Sequence, residues 1–152
     1  MLKFHNLHGR KIMTQYRITQ EPNPTREDLY VLAQGLVKNA QQQRDHKPTE
    51  SFAFFVRDEN LQIIAGANGY TFYGCMYVDQ LWVDEKLRGK GYGTQLMLAA
   101  EELGRERGCT FAAVNTMDWE GLEFYQKLGY HVEFERHGFV KNSTFYYLRK
   151  DL

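Results

Sequence analysis

The sequence of 152 residues predicts a mixed α/β domain, in which helices pack on a central sheet. Strand-like runs of apolar and aromatic residues lie between stretches whose apolar residues recur at helical spacing. The chain length suits one domain, and the sequence contains no internal repeats. We therefore expect residues 14–152 to form a single domain and residues 1–13 to be a flexible N-terminal extension.

The first elements of this domain are predicted to be a strand, a turn and a long helix. "QYRIT" (15–19) alternates as a short strand does, and "PNP" (22–24) is typical of a turn. Thr25 is followed three residues later by Asp28, a variant of the capping box that begins a helix. Apolar residues then follow at helical spacing as far as about Arg44.

The remaining elements are indicated by alternation and by glycines. A second helix is expected to open at Gly91 to Gly93 and to stop at Gly108, and a shorter helix covers 121–129. The expected strands are 52–57, 61–74, 76–83, 109–116, 130–136 and 144–150. The predicted order is β-α-β-β-β-α-β-α-β-β.

Composition argues against several classes of function. Lys plus Arg and Asp plus Glu both number 19, so the formal charge is zero, which disfavours a nucleic-acid partner. The two cysteines, Cys75 and Cys109, form no CxxC pair, so we expect neither a disulfide framework nor a metal site. We therefore expect a cytoplasmic location. No apolar run approaches the ~18 residues of a membrane span, and "MLKFHNLHGRKI" lacks the apolar core of a signal peptide.

The stretch "LRGKGYG" (87–93) places three glycines at alternate positions just before a predicted helix. The first N–H groups of a helix lack intrahelical partners and lie at the positive end of its dipole, and absent side chains let an anion approach them. Two common phosphate-binding patterns do not fit. A P-loop needs Ser or Thr after Gly89-Lys90, and a dinucleotide fingerprint needs glycine in place of Thr94. The residues alone therefore predict an anion site on a mixed α/β domain.

The pattern that remains is Arg88-x-x-Gly91-x-Gly93, directly after Leu81-x-Val83. It resembles the signature of the GNAT superfamily of acetyl-CoA-dependent N-acetyltransferases, in particular a bacterial subgroup of the small-molecule type. "EFYQKLGY" (123–130) is similar to the second motif of that family, and the predicted elements follow the family's order. The resemblance covers nearly all of residues 14–152. It implies a GNAT-type mixed, mostly antiparallel central sheet with helices on both faces.

The resemblance also implies a binding mode for acetyl-CoA, as a co-substrate, in a cleft between the strands at 76–83 and 109–116. In the family the first of these strands diverges from its neighbour, and its unpaired backbone groups bind the pantetheine arm. A backbone N–H of this segment would polarise the acetyl carbonyl. The pyrophosphate would lie on the backbone N–H groups of residues 89–94, the glycine loop. The implied cofactor-binding residues are Leu81, Trp82, Val83, Arg88, Gly89, Lys90, Gly91, Tyr92, Gly93 and Thr94.

Two residues are expected to carry the chemistry. Tyr125 matches the family's tyrosine, which protonates the departing CoA thiolate as a general acid. The acceptor ammonium has a pKa near 10.4 and must lose a proton before attack. Asp79, placed on the same strand face as Leu81 and Val83 by alternation, is our candidate for relaying that proton or binding the amine. Other candidate bases are Glu120, Glu133, Glu135, His131 and His137.

One position departs from the family pattern. Asp118 stands where many relatives carry an asparagine that contacts the CoA arm, and it also suits a helix N-cap, the role we favour. The stretch Trp119-Glu120-Gly121 is unusual for the subgroup and indicates a different acceptor pocket.

The function predicted is an acyltransferase that moves an acetyl group from acetyl-CoA to a primary amine of a small molecule, by direct attack in a ternary complex. Two alternatives stay open: an enzyme acting on a protein or peptide amine, and a CoA-binding module without catalysis. A homodimer formed through the closing strands is a candidate assembly. No membrane partner is expected.

Overall fold

A computed structural model describes residues 16–44 and 47–152 of the chain. The described residues divide into two compact units, with the division after Leu36. In chain order the elements are α1 Arg26–Gln43, β1 Glu50–Arg57, β2 Ile63–Phe72, β3 Cys75–Val83, α2 Tyr92–Glu106, β4 Phe111–Met117, α3 Leu122–Lys127, β5 His131–Arg136 and β6 Phe145–Asp151.

The start of α1 confirms the predicted capping box. The backbone N–H of Asp28 donates to Oγ1 of Thr25 at 3.1 Å, and the backbone N–H of Thr25 donates to Oδ2 of Asp28 at 3.1 Å. The strand predicted at 15–19 is wrong in its described part, because Tyr16 to Thr19 form no strand. The expected extension and its boundary at residue 13 lie outside the described residues and stay a prediction.

The second unit contains a six-stranded sheet in the order β1-β2-β3-β4-β6-β5. Only the central pair, β3 and β4, is parallel; each of the other neighbouring pairs within the described residues is antiparallel. The predicted mixed, mostly antiparallel sheet is therefore confirmed.

Helices α2 and α3 pack on one face of this sheet. A Cβ added to Gly104 of α2 would lie 2.9 Å from Cβ of Met76, which pairs with Ala112 on β4 and so shares its face. Thr116 lies on the same face of β4 by alternation, and its hydroxyl accepts a hydrogen bond from the N–H of Gly121, just before α3. The fully buried side chains of this core include Met76, Met97, Val114 and Leu148.

Arg107 joins the C-terminal end of α2 to the edge of the sheet. Its guanidinium donates to the carbonyl of Glu50 at 3.1 Å and to Oγ1 of Thr71 at 3.3 Å. Within 16–44 and 47–152, no helix is both long and apolar enough to cross a membrane.

Candidate active site

A cleft opens in the middle of the sheet because β3 and β4 pair along only part of their length. Their parallel pairing runs from Cys75 with Phe111 to Val78 with Val114 and then ends. Beyond that point β3 remains paired with β2 as far as Val83, and β4 remains paired with β6 as far as Met117. Two strand edges with backbone polar groups therefore face each other across the cleft.

The cleft has a volume of about 910 Å³ and reaches from the point of divergence to the N-terminus of α2. Its walls come from the second half of β3, the glycine loop, the end of β4 and the start of α3. The lining residues are Asp79, Gln80, Leu81, Trp82, Val83, Leu87, Arg88, Gly89, Gly91, Tyr92, Gly93, Thr94, Asn115, Thr116, Trp119, Glu120, Gly121, Phe124 and Tyr125.

The three glycines of the loop serve two different requirements. Gly89 and Gly91 have φ of 74° and 84°, a left-handed conformation that L-residues with side chains rarely adopt. Gly91 is the N-cap of α2, so the first N–H groups of the helix follow it directly. Gly93 instead allows close packing, because a Cβ there would lie 3.3 Å from Cζ of Phe124. The loop thus presents a backbone surface to the cleft.

Arg88 braces the loop. Its Nε donates a hydrogen bond to the carbonyl oxygen of Val83 at 3.2 Å, linking the loop to the last residue of β3. The turn between them is closed by Asp84, whose Oδ1 accepts from the N–H of Lys86 at 3.0 Å. The guanidinium of Arg88 therefore holds the backbone in place and also brings positive charge to this end of the cleft.

Tyr125 lies on α3 at the opposite wall. Its side chain is 9% exposed and packs edge-on against Phe124 and Tyr130, with ring centroids 5.2 and 5.9 Å away. Gly121 makes room for the ring, since a Cβ there would lie 3.1 Å from Cε2 of Tyr125. Burial, with a smaller contribution from the charge of Glu120, raises the pKa of Tyr125 to about 12. The phenol is therefore protonated throughout the physiological range.

Asp79 lies at a β-bulge where the cleft begins. Asn68 pairs with Gln80 and Gly69 pairs with Val78, so Asp79 is an extra residue without a partner on β2. Gly69 is needed there, because a Cβ would overlap the carbonyl oxygen of Tyr77. The Asp79 carboxylate is close enough to add to the burial that raises the pKa of Tyr70 and of Tyr77.

The family model for the acetyltransferase (GNAT) family matches residues 13–130. This chain belongs to the GNAT family. It is therefore an acyltransferase by family, and its resemblance in sequence to the GNAT superfamily is confirmed.

Individual relatives agree with this assignment. The chain is 33% identical over 107 residues to blasticidin-S acetyltransferase of Streptomyces morookaense, which covers 70% of this chain and 79% of that protein. The crystal structure of a protein from Agrobacterium tumefaciens, described as an acetyltransferase, matches with a TM-score of 0.81 and 23% identity, over 90% of this chain and 100% of that one. A Bacillus anthracis protein, described as a streptothricin acetyltransferase and solved with acetyl coenzyme A, matches with a TM-score of 0.62 and 18% identity, over 73% of this chain and 67% of that one. These two structural likenesses show the GNAT fold.

Most residues predicted for the GNAT site meet in the cleft, but two do not. Lys90 is absent from the lining, and its backbone N–H donates a hydrogen bond to the carbonyl oxygen of Leu87 at 3.4 Å. Asp118 is also absent from the lining, and the expected N-cap role is wrong because Gly121 is the N-cap of α3. The backbone N–H of Asp118 instead donates to the carbonyl oxygen of Thr144 at 2.9 Å. This hydrogen bond links the turn after β4 to the residue just before β6.

The alternation argument for Asp79 also needs correction. The bulge interrupts the period of two, so Asp79 is exposed whereas Leu81 and Val83 pack against the core. Asp79 nevertheless lines the cleft. Of the other candidate bases, only Glu120 lines the cleft, and its Oε2 accepts a hydrogen bond from the N–H of Met117 at 3.2 Å.

Sequence reasoning missed several lining residues. Asn115 lies where β4 leaves β3, and its Nδ2 donates to the hydroxyl of Tyr77 at 2.9 Å. Phe124 was also missed; Trp119, which the sequence linked to the acceptor pocket, lines the cleft as well. A polar residue at the end of an apolar strand was the available signal for Asn115, because the tip of a strand that borders a cleft is a common place for a functional side chain.

Proposed function

We propose that this chain transfers an acetyl group from acetyl-CoA to a primary amine of a small molecule, by direct attack within a ternary complex. One observation carries the proposal: the divergence of β3 from β4 leads directly to a glycine loop at the N-terminus of α2. A strand edge followed by an anion site suits a ligand that is extended and amide-containing at one end and phosphorylated at the other.

The residues present fit acetyl-CoA. Positions 79–83 offer backbone N–H and C=O groups on the side that β4 leaves unpaired, which suits the amides of the pantetheine arm. A Cβ at Gly89 would meet nothing within 4 Å, so the loop leaves room for the pyrophosphate. The N–H groups of Tyr92, Gly93 and Thr94 belong to the first turn of α2 and lack intrahelical acceptors. Acetyl-CoA supplies an acetyl thioester, whose acyl carbon bonds to the amine nitrogen while its C–S bond breaks.

Tyr125 is proposed to hold the proton that the departing sulfur receives. Its raised pKa keeps the phenol protonated, so it acts as a hydrogen-bond donor and acid rather than as a base. The pKa of a CoA thiol buried beside Tyr125 is raised as well, because burial removes solvation from a thiolate as it does from a phenolate. Asp79 is proposed to bind the acceptor ammonium or to accept its proton, because its exposed carboxylate opens on the cleft where β3 leaves β4.

A small acceptor is supported by the name of the Streptomyces relative, blasticidin-S acetyltransferase. The mouth of the cleft has two exposed aromatic side chains, Trp82 at 49% and Trp119 at 69%, which offer flat surfaces for the planar parts of a small molecule.

The test is release of free CoA thiol from acetyl-CoA with a panel of amines. The panel contains blasticidin S, streptothricin, aminoglycosides, polyamines, amino acids and short peptides, each read against a blank without amine. Tyr125→Phe is expected to lower kcat by about 10²-fold. The matched control is Tyr146→Phe, which removes a hydroxyl from a half-buried tyrosine outside the cleft and leaves kcat unchanged. Asp79→Asn is expected to raise the KM for the amine but not for acetyl-CoA.

The outcomes separate the alternatives. Turnover confined to peptides would reassign the acceptor to a protein amine. Acetyl-CoA binding without turnover on any amine would favour a binding module. An equal rate for wild type and Tyr125→Phe would remove the general acid from the mechanism.

A further inference from the structure

A buried polar cluster of Glu101, Tyr130 and Lys150 lies behind the candidate site. Glu101 is on α2 and is 1% exposed, and Tyr130, just after α3, is 2% exposed. Nζ of Lys150 on β6 donates to Oε2 of Glu101 at 2.7 Å, and the hydroxyl of Tyr130 donates to Oε1 of Glu101 at 3.1 Å. Oε2 also lies 3.8 Å from a guanidinium nitrogen of Arg105, so both carboxylate oxygens have partners. The cluster joins three separate elements of the fold.

Stability alone does not account for this cluster. Removing a carboxylate and an ammonium from water is costly, and replacing a buried ion pair by apolar residues of similar volume is often neutral or stabilising. Nothing in the acetyl transfer proposed above uses Glu101 or Lys150 directly, since neither lines the cleft. A fixed geometry is the property that such a pair supplies and an apolar contact does not.

The cluster reaches Tyr125 through Tyr130. The N–H of Tyr130 donates to the carbonyl oxygen of Tyr125 at 3.0 Å, and the two rings meet edge-on with their planes at 69°. The ring and the main chain of Tyr125 are thus both held by the residue that Glu101 anchors. The hydroxyl of Tyr125 has no hydrogen-bond partner among residues 16–44 and 47–152, so the position of the phenol depends on these ring and main-chain contacts.

α3 needs such an anchor because it is short. It contains 6 residues, well below the length at which an isolated helix is stable in water. Its N-cap, Gly121, offers no side-chain cap. α2, in contrast, begins at the glycine loop, and Glu101 lies about 15 Å further along the same rigid helix.

We propose that Glu101, held by Lys150, positions Tyr125 through Tyr130 and so fixes the distance between the acid and the glycine loop. The inference rests on the proposed function, because it gives Tyr125 the role described there. Tyr130 and Glu101 are positioning residues in this scheme, since neither touches the reacting atoms.

The test is a double-mutant cycle between Tyr130→Phe and Tyr125→Phe, measured by thiol release. Tyr130→Phe keeps the ring and removes only the hydroxyl that bonds Glu101. We expect it to lower kcat about tenfold and to leave the KM for acetyl-CoA within about twofold, because misplacement of a catalytic group affects the chemical step. In the Tyr125→Phe background the same substitution is expected to have no further effect on kcat, since the group that it positions is already gone. Tyr146→Phe, outside the cluster, is the matched control.

Each result bears on the inference. Equal fractional losses in both backgrounds would mean that Tyr130 acts without Tyr125 and would overturn it. A normal kcat for Tyr130→Phe, together with a slow Tyr125→Phe, would overturn the inference and leave the proposed acid intact. A normal kcat for Tyr125→Phe would overturn both, and that single variant tells the two failures apart. If Tyr130→Phe does not fold, Glu101→Gln replaces it in the same cycle, because the glutamine oxygen still accepts the Tyr130 hydrogen bond but its NH2 group cannot accept from Lys150, so the side chain loses the contact that holds it. Glu101→Gln is expected to lower kcat by a larger factor than it changes the KM for acetyl-CoA. An unchanged kcat would overturn the inference.

Discussion

Gly91 gives the sharpest test of the glycine loop, through the substitution Gly91→Ala. Its φ of 84° lies in the left-handed region, where alanine costs roughly 1–2 kcal/mol relative to the ordinary helical conformation. A Cβ would meet no atom closer than Nε2 of Gln95 at 3.9 Å, so steric overlap adds nothing to this cost. For a domain of this size, that loss of stability corresponds to a fall in Tm of roughly 2–8 °C.

The expected effect on the co-substrate is larger. Gly91 lines the cleft at the N-terminus of α2, so a methyl group and a shifted backbone there disturb the N–H groups proposed to bind the pyrophosphate. A hydrogen bond to a charged group contributes roughly 1.5–3 kcal/mol. Loss of one such bond raises the KM for acetyl-CoA by about 10- to 150-fold.

Gly108→Ala is the matched control. Gly108 has φ of 79°, and a Cβ there would have no neighbour within 4 Å. It follows the other end of α2, about 25 Å from Gly91 along the helix. Thermal denaturation gives the Tm of each variant, and steady-state kinetics at a temperature well below both Tm values gives the KM for acetyl-CoA. Together they separate the cost of backbone strain from a loss of binding. Both variants are expected to lose similar stability, and only Gly91→Ala loses affinity for acetyl-CoA. An unchanged KM in a folded Gly91→Ala would refute the assignment of this loop to the pyrophosphate.

Two further predictions concern stability. Arg107→Met removes the guanidinium that bonds the carbonyl of Glu50 and the hydroxyl of Thr71, so it is expected to lower the free energy of unfolding by about 1–3 kcal/mol in urea denaturation. Lys127→Met, at an exposed lysine with a surface ion pair, is the control and is expected to cost about 1 kcal/mol or less; equal losses would contradict the assigned role of Arg107. Tyr125 makes stability depend on pH in the alkaline range, because its folded pKa of about 12 lies above the ordinary value of 10. Its contribution is fully present below pH 10 and is lost as the pH rises to 12, by about 3 kcal/mol relative to Tyr125→Phe. Parallel pH curves for the two proteins would show that the phenol is not buried as described.

Local patterns predicted most elements of the second unit. Strands β1 to β6 and helices α2 and α3 follow from alternation, from helical spacing and from glycines that end helices, such as Gly108. The strand predicted at 15–19 failed in its described part because alternation over so few residues specifies no partner, and a strand exists only when another strand pairs with it.

The site was less predictable than the fold. The glycine loop carries its conformational requirement in its own residues, so Gly89, Gly91 and Gly93 could be identified without a structure. Asp79 could be named but not oriented, because a bulge depends on how two strands pair and leaves no mark in one of them alone. Asn115 was missed because it comes to the cleft only where β4 leaves β3, a placement that tertiary structure decides.

The incomplete pairing of β3 with β4 has a mechanical consequence. The sheet consists of two three-stranded halves, β1-β2-β3 and β4-β6-β5. The two halves are hydrogen-bonded to each other only where Cys75–Val78 pair with Phe111–Val114, and this border is called the seam. No ladder of hydrogen bonds between β3 and β4 opposes opening of the unpaired part. A substrate that lies along this edge would complete the missing ladder and stiffen the seam. Its binding energy would then be shared between recognition and the rigidity of the protein's own framework.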